Sequence, residues 1–168
     1  YINGKDFGLD IQIVQEKKII LDTGGGILNA TFNFEEKPFI VLNPDTVWNK
    51  KHLSEFINLE KTYFDKKTAS LLLVNKNKSF DKSFSGDFNL NNFGSVSRDN
   101  DNQMIYTGAQ IISREVFGKK NVSQFSMNEI WDILIAKKSL YDVESKQEFL
   151  HVNNHEIYQK LTKQRFNY

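Results

Sequence analysis

Apolar positions along the 168-residue chain fall into short blocks separated by polar turns, and the spacing inside each block predicts its element. Ile11 to Val14 alternates and reads as a short strand. Phe39-Ile40-Val41-Leu42 and Ala69 to Val74 are continuous apolar runs, too short for helices and bounded by polar turns, so both read as buried strands. Between them, Leu53, Phe56 and Ile57 recur at helical spacing within Lys51–Leu59. Two buried strands around a helix predict a βαβ unit, because strands covered on both faces are apolar without alternation. Lys76 to Gln103 is polar and turn-rich, with a small hairpin expected from Asp87–Leu90 and Gly94–Val96 around Asn91-Asn92. Tyr106 to Ile112 is a third central strand, followed by a short helix from Ser113. Ser126 and Glu129 form a capping-box pattern ahead of a helix whose apolar face is Ile130, Ile133 and Leu134. Leu140–Val143 and Glu148–Val152 flank Lys146-Gln147 and predict paired strands, and a last amphipathic helix runs from Asn154 through Leu161.

Composition narrows the function classes. The chain fits a single domain over residues 1–168. Lys plus Arg is 22 against 21 Asp plus Glu, a balance that argues against nucleic-acid or polybasic membrane binding. There is no cysteine, which excludes disulfides, thiolate metal sites and a cysteine nucleophile. No apolar run reaches the roughly 18 residues of a membrane span, and no signal-peptide pattern is seen, so a cytoplasmic location is expected. The sequence starts at Tyr1 and reads as a fragment or trimmed chain; its Asn, Lys, Ile and Phe content hints at an AT-rich bacterial genome.

Four places offer chemistry. In Asp22-Thr23-Gly24-Gly25-Gly26, the glycines admit positive φ and close approach of a flat ligand, and N–H groups at a helix start suit an anion; the other reading is a plain strand-to-helix turn. Asp45 directly follows a buried strand, at the sheet edge where ligands of α/β folds bind, and a carboxylate there suits Mg²⁺; alone it equally describes a turn after Pro44. Gly108 in Tyr106-Thr107-Gly108 marks either a bulge or a backbone approach to a ligand. Asn128 and Asp132 share a helix face, whereas Trp131 reads as core packing. His52, His151 and His155 form no joint metal-ligand spacing and read as surface or turn residues.

Five segments in one order carry a resemblance: Leu21-Asp22-Thr23-Gly24-Gly25-Gly26-Ile27, Pro38 through Trp48, Gly86-Asp87-Phe88-Asn89-Leu90, Tyr106-Thr107-Gly108-Ala109-Gln110-Ile111, and Phe125 through Asp132. In these the chain resembles bacterial sugar-1-phosphate nucleotidyltransferases, near the N-acetylmuramate-1-phosphate uridylyltransferases and mannose-1-phosphate guanylyltransferases. The resemblance implies an α/β, Rossmann-like fold with a mixed, mainly parallel central sheet. It implies a reaction in which a sugar 1-phosphate attacks the α-phosphate of an NTP and pyrophosphate leaves, with Mg²⁺ as cofactor and neither nucleic acid nor membrane as partner. By the same resemblance Asp22, Thr23, Gly24, Gly25 and Gly26 would line the nucleotide, Asp45 would hold Mg²⁺ as the catalytic residue, and Thr107, Gly108 and Asn128 would face the sugar. UTP with N-acetylmuramate 1-phosphate is the first expectation, GTP with mannose 1-phosphate the second.

Departures from the family pattern temper this. No Gly-rich loop with a basic residue precedes Tyr1, so the expected fold lacks its N-terminal strand and triphosphate cradle, exposes a strand edge, and is inactive as the isolated chain. Pro44 stands where a glycine is usual, His151 where a second metal-binding Asp is frequent, and Asn153-Asn154-His155 where Gly-Thr-Pro is expected. His151 is a poorer Mg²⁺ ligand than a carboxylate. Two expectations follow: an enzyme completed by an N-terminal segment, separately encoded or removed, or a non-catalytic remnant of a degraded gene. The DNA upstream of Tyr1 discriminates between them.

Overall fold

The computed structural model describes residues 4–16, 19–35, 37–91 and 95–165. Its centre is a four-stranded sheet in the order β1 (Phe39–Leu42), β5 (Met104–Ile112), β2 (Ala69–Asn75), β6 (Leu140–Ser145). β5 is antiparallel to both β1 and β2, and β2 is parallel to β6, so β1, β2 and β6 run one way and β5 the other. The predicted βαβ unit is present as β1, α2 (Leu53–Lys66) and β2, but β5 sits between its two strands. A minor ribbon pairs β3 (Asn89–Leu90) with β4 (Val96–Ser97); Asn92 and Gly94 of the expected hairpin turn lie outside the described residues.

Side-chain alternation on β2 builds two cores from one apolar run. Leu71 and Leu73 face α1 (Asp22–Ala30) and α3 (Met127–Ala136) with Leu28, Phe88, Met127, Ile130, Trp131 and Leu134. Leu72 faces α2 with Leu59, Tyr63, Ala109 and Ile111. Both faces of β2 are thus covered, which is why its sequence is apolar without alternation. β1 forms one edge of the sheet, and its Ile40 and Leu42 are nearly half exposed.

Three expectations are corrected. Ile11–Val14 forms no strand and stays exposed. Residues 148–152 do not pair with β6: Phe149 bridges Ser79 and His151 bridges Thr46. Alternation at 11–14 yields no strand, and the run 148–152 yields only isolated bridges. Ser126 caps α3 by accepting from Asn128 N at 3.2 Å, but Glu129 pairs with Lys120 at 2.8 Å instead of closing a capping box. α4 (His155–Arg165) starts as expected, with Asn154 Oδ1 accepting from Ile157 N. Among the described residues no helix is long and apolar enough to cross a membrane.

Candidate active site

The turn after β1 is where the chain concentrates polar atoms at the sheet. Asn43 N donates to Gly108 O at 2.8 Å, and Thr46 Oγ1 donates to Thr107 O at 2.7 Å, so the turn is sewn onto β5. Gly108 is required there on two counts. Its φ is +90°, and a Cβ on it would stand 2.7 Å from Asn43 Cβ. β5 is bulged at this point: Leu71 pairs with Gln110 but Leu73 with Tyr106, and Thr107 uses the slack to donate Oγ1 to Leu72 O at 2.7 Å. The bulge reading of Gly108 therefore holds, and the close approach it permits is to Asn43. Thr107 is buried with its hydroxyl committed to the backbone.

The segment 150–152 crosses this turn: Val47 N donates to Leu150 O at 2.9 Å and Val152 N to Asp45 O at 2.8 Å. That crossing brings His151 Nε2 to 3.1 Å from Asp45 Oδ2. Phe149 stacks on the His151 ring, and Phe84 meets it edge-on. His151, a surface or turn residue by the histidine spacing and the place of a second metal-binding Asp by the resemblance, has a side chain only 18% exposed. No helical spacing signalled the pair, because Asp45 and His151 meet through a long-range strand bridge. Asp45 Oδ1 and His151 Nδ1 are both buried without a hydrogen-bond partner. Leaving such atoms unpaired costs roughly 1–3 kcal/mol each, so the contact is an incomplete arrangement for both side chains.

The donor set decides how well Mg²⁺ fits. Mg²⁺ takes oxygen ligands, usually one or two carboxylates with substrate phosphates. Asp45 supplies one such carboxylate, the neighbouring ligand atom is an imidazole nitrogen, and no group of three His, Cys, Asp or Glu side chains suited to a metal occurs among the described residues. The pair fits a dication bound jointly with a substrate, and fits a purely protein-held Mg²⁺ poorly.

A second cluster lies at the adjoining ends of α1 and α3. Thr23 Oγ1 accepts from Met127 N at 2.9 Å, and Thr23 N donates to Asp22 Oδ1. Gly24 N and Gly25 N both donate to Phe125 O, at 3.0 and 3.1 Å. A Cβ on Gly24 would lie 2.4 Å from the Phe125 ring and one on Gly25 2.0 Å from Ser123 O; on Gly26 it meets only Glu16 Oε1, at 3.2 Å. The first two glycines thus let a helix start pack against residues 123–125, and their N–H groups are spent on that contact. Asp22, not a glycine, holds the positive φ, at 60°.

Arg98 escaped the sequence reading, where it is one cation in a polar stretch. Its guanidinium lies over the Phe88 ring, 4.4 Å from the centroid, and donates to Asp132 Oδ1 and Asn128 Oδ1, each at 2.6 Å. The face shared by Asn128 and Asp132 is therefore occupied by Arg98. Trp131 packs in the core as expected, donating Nε1 to Gln110 Oε1 at 3.1 Å. Beside it, burial pushes the Tyr106 phenol well above its usual range, and its hydroxyl has no partner. Among the described residues no hydrogen bond or ion pair joins the Asp45–His151 cluster to the Thr23–Asn128 cluster.

No family model matches the sequence, and no curated protein is significantly similar to it. Solved structures are. HddC from Yersinia pseudotuberculosis, also solved with GMP-PN, superposes with a TM-score of 0.63 at 22% identity, over 88% of this chain and 64% of that one. A Bacillus anthracis protein described as a glucose-1-phosphate thymidylyltransferase gives 0.65 at 13%, over 90% of this chain and 64% of its own. An apo UDP-glucose pyrophosphorylase gives 0.67 at 13%, over 89% and 61% respectively. The chain spans less than two thirds of each of these proteins. At such identities the likeness is one of architecture: the chain carries the mixed α/β fold of solved nucleotidyltransferases, with Asp45 at the carboxyl end of a sheet strand.

Proposed function

We propose that this site transfers a nucleotidyl group from an NTP to a sugar 1-phosphate. A phosphate oxygen of the sugar attacks the α-phosphorus, the bond to the β-phosphate oxygen breaks, and pyrophosphate leaves. The observation that carries this reading is the placement of Asp45 at the end of β1, braced by His151 from a crossing segment, on a fold shared with solved nucleotidyltransferases. A dication bound beside Asp45 would neutralise charge building on the phosphates, which is where such reactions need help. The protein's part is positioning. The Thr46 hydroxyl and the Asn43 N–H lock the turn to β5, so the carboxylate is pre-set before substrate arrives. UTP with N-acetylmuramate 1-phosphate is the pair the resemblance favours, in a cytoplasmic enzyme.

One observation favours a second reading, a non-catalytic remnant. The Gly24 and Gly25 N–H groups are already bonded to Phe125 O, so the glycine segment does not present them to an anion. The discriminating experiment measures pyrophosphate release by the full-length polypeptide across the four NTPs and a panel of sugar 1-phosphates. Sugar-dependent release that falls about 10²-fold or more in Asp45→Asn supports transfer. Absence of release with every pair, from folded protein, supports the remnant.

A further inference from the structure

We propose that Arg98 is a positioning residue of the sugar side. It fixes the Asn128 carboxamide with its NH₂ facing outward, so that the sugar 1-phosphate must bring a neutral oxygen acceptor, a hydroxyl or amide oxygen, to that point. The inference rests on the transfer reading, in which Asn128 faces the sugar.

The Arg98 cluster stands at the same end of the sheet as Asp45, because β5 carries both. Thr107 O accepts from Thr46 Oγ1, and the preceding residue, Tyr106, donates its N–H to Asp87 Oδ2 at 2.9 Å. Asp87 O in turn accepts from Arg98 Nε at 3.2 Å. Every nitrogen of the guanidinium is thus tied: Nε to Asp87 O, Nη1 to Asp132 Oδ1 and Nη2 to Asn128 Oδ1. The Phe88 ring beneath it sets its plane. Asn128 is fixed from its own side as well, since its backbone N–H donates to Ser126 Oγ.

A guanidinium donates and never accepts. The Asn128 atom that meets it is therefore the carbonyl oxygen, and the NH₂ points the other way, on an exposed residue, with no partner among the described residues. A free carboxamide can present either end to a ligand; this one is committed to donate. Asp132, 2.6 Å from Arg98, offsets the guanidinium charge, so the cluster attracts no anion through net charge and suits a neutral acceptor instead. Arg98 acts here through Asn128 and not by touching the substrate.

The test is calorimetric binding of sugar 1-phosphates to the full-length polypeptide, using those of N-acetylmuramate, N-acetylglucosamine, glucose and mannose, and continuing with the tightest. Asn128→Asp should weaken that probe about tenfold or more, since it turns the outward donor into an acceptor while Arg98 keeps a partner. Asn128→Ala and Arg98→Ala should each weaken it about threefold to tenfold. The double variant should bind no worse than Asn128→Ala alone, because Arg98 acts through that amide. Arg98→Lys, which can still donate to Asn128 Oδ1, should recover part of the loss. Glu129→Gln, on the same helical turn but paired with Lys120, is the control and leaves binding unchanged. If Arg98→Ala does not fold, Arg98→Gln takes its place. A merely structural Arg98 would weaken the probe equally with or without the Asn128 amide. Losses at Arg98 and Asn128 that add, an unchanged affinity in Asn128→Asp, or a folded parent that binds none of the probes would overturn the proposal. Binding that responds as stated, without pyrophosphate release, would remove the transfer reading and leave the orientation of Asn128 standing.

Discussion

At the scale of single residues, three adjacent glycines do two different things. Gly24 and Gly25 are small because residues 123–125 press against the first turn of α1, and Gly26 faces the end of a flexible glutamate. A sequence shows that side chains are missing but not whether a ligand or a neighbouring segment fills the space. The expectation from the structure is that Gly25→Ala destabilises the protein by about 2 kcal/mol or more, since a backbone oxygen 2.0 Å from the new Cβ must move. Gly26→Ala should change stability by less than about 1 kcal/mol, because alanine is the better helix former and the new Cβ meets only Glu16 Oε1 at 3.2 Å, while Glu16 Oε2 accepts from Leu21 N. Urea unfolding of the two variants reads the difference. Equal stability of both would mean that the helix start does not pack as described. His151 teaches the converse lesson. Its spacing from the other histidines carried no signal, and its partner Asp45 is more than a hundred positions away in the chain.

At the scale of elements, continuous apolar runs located strands but neither their burial nor their partners: β1, expected to be buried, is an edge strand with Ile40 and Leu42 nearly half exposed. β2 could be read from sequence because burial on both faces removes every polar position. Residues 148–152 were misassigned because extended backbone pairs with whatever edge lies nearest, here Ser79 and Thr46 rather than β6. β6 shows the cost of a mixed strand. Asp142 and Glu144 alternate onto one face, and burial first, then the Glu144 charge, pushes the Asp142 carboxyl up to about 6. A folded pKa above the ordinary 3.8 of an aspartate means that the neutral form suits the fold. Stability from this group is complete below the unfolded value and is lost as pH rises through about 6. Asp142→Asn mimics the neutral acid, so it should raise stability by roughly 1 kcal/mol at pH 7.5, after allowance for solvent screening of a half-buried group. At pH 3, below the unfolded value, the variant and the parent should unfold alike. A gain that does not depend on pH would show that the amide stabilises through packing rather than through removal of a charge.

For the whole molecule, the two edges of the sheet are built differently, and the difference predicts how the described chain behaves in solution. At the β6 edge, Tyr141 is bridged by Ser95 and the strand carries Asp142 and Glu144, with Lys146 paired to Glu144; charge and cover of this kind discourage edge-to-edge pairing. At the β1 edge, among the described residues, no strand pairs with the outer side of β1, and Asp10, Gln12 and Val14 line the cavity beside it without forming a ladder. Ile40 is 45% and Leu42 46% exposed. On one side of β1 lies a cavity of about 730 Å³ lined by Ile27, Ala30, Phe34 and Phe39, and on the other a cavity of about 390 Å³ lined by Phe56, Ile57 and Phe64. Apolar side chains therefore flank the outer strand on both faces, a combination that favours pairing with another chain. The 168-residue chain should self-associate as its concentration rises, and Ile40→Lys should suppress this by placing a charge on the open edge without touching the Asp45–His151 pair. Sedimentation velocity over about a hundredfold concentration range is the measurement, with Ile133→Lys, on an exposed position of α3, as the comparison for added charge alone. Association that is equally reduced by both lysines would assign the effect to net charge, and the edge would lose its role; a monomer at every concentration in the parent chain would show that the helices already shield β1.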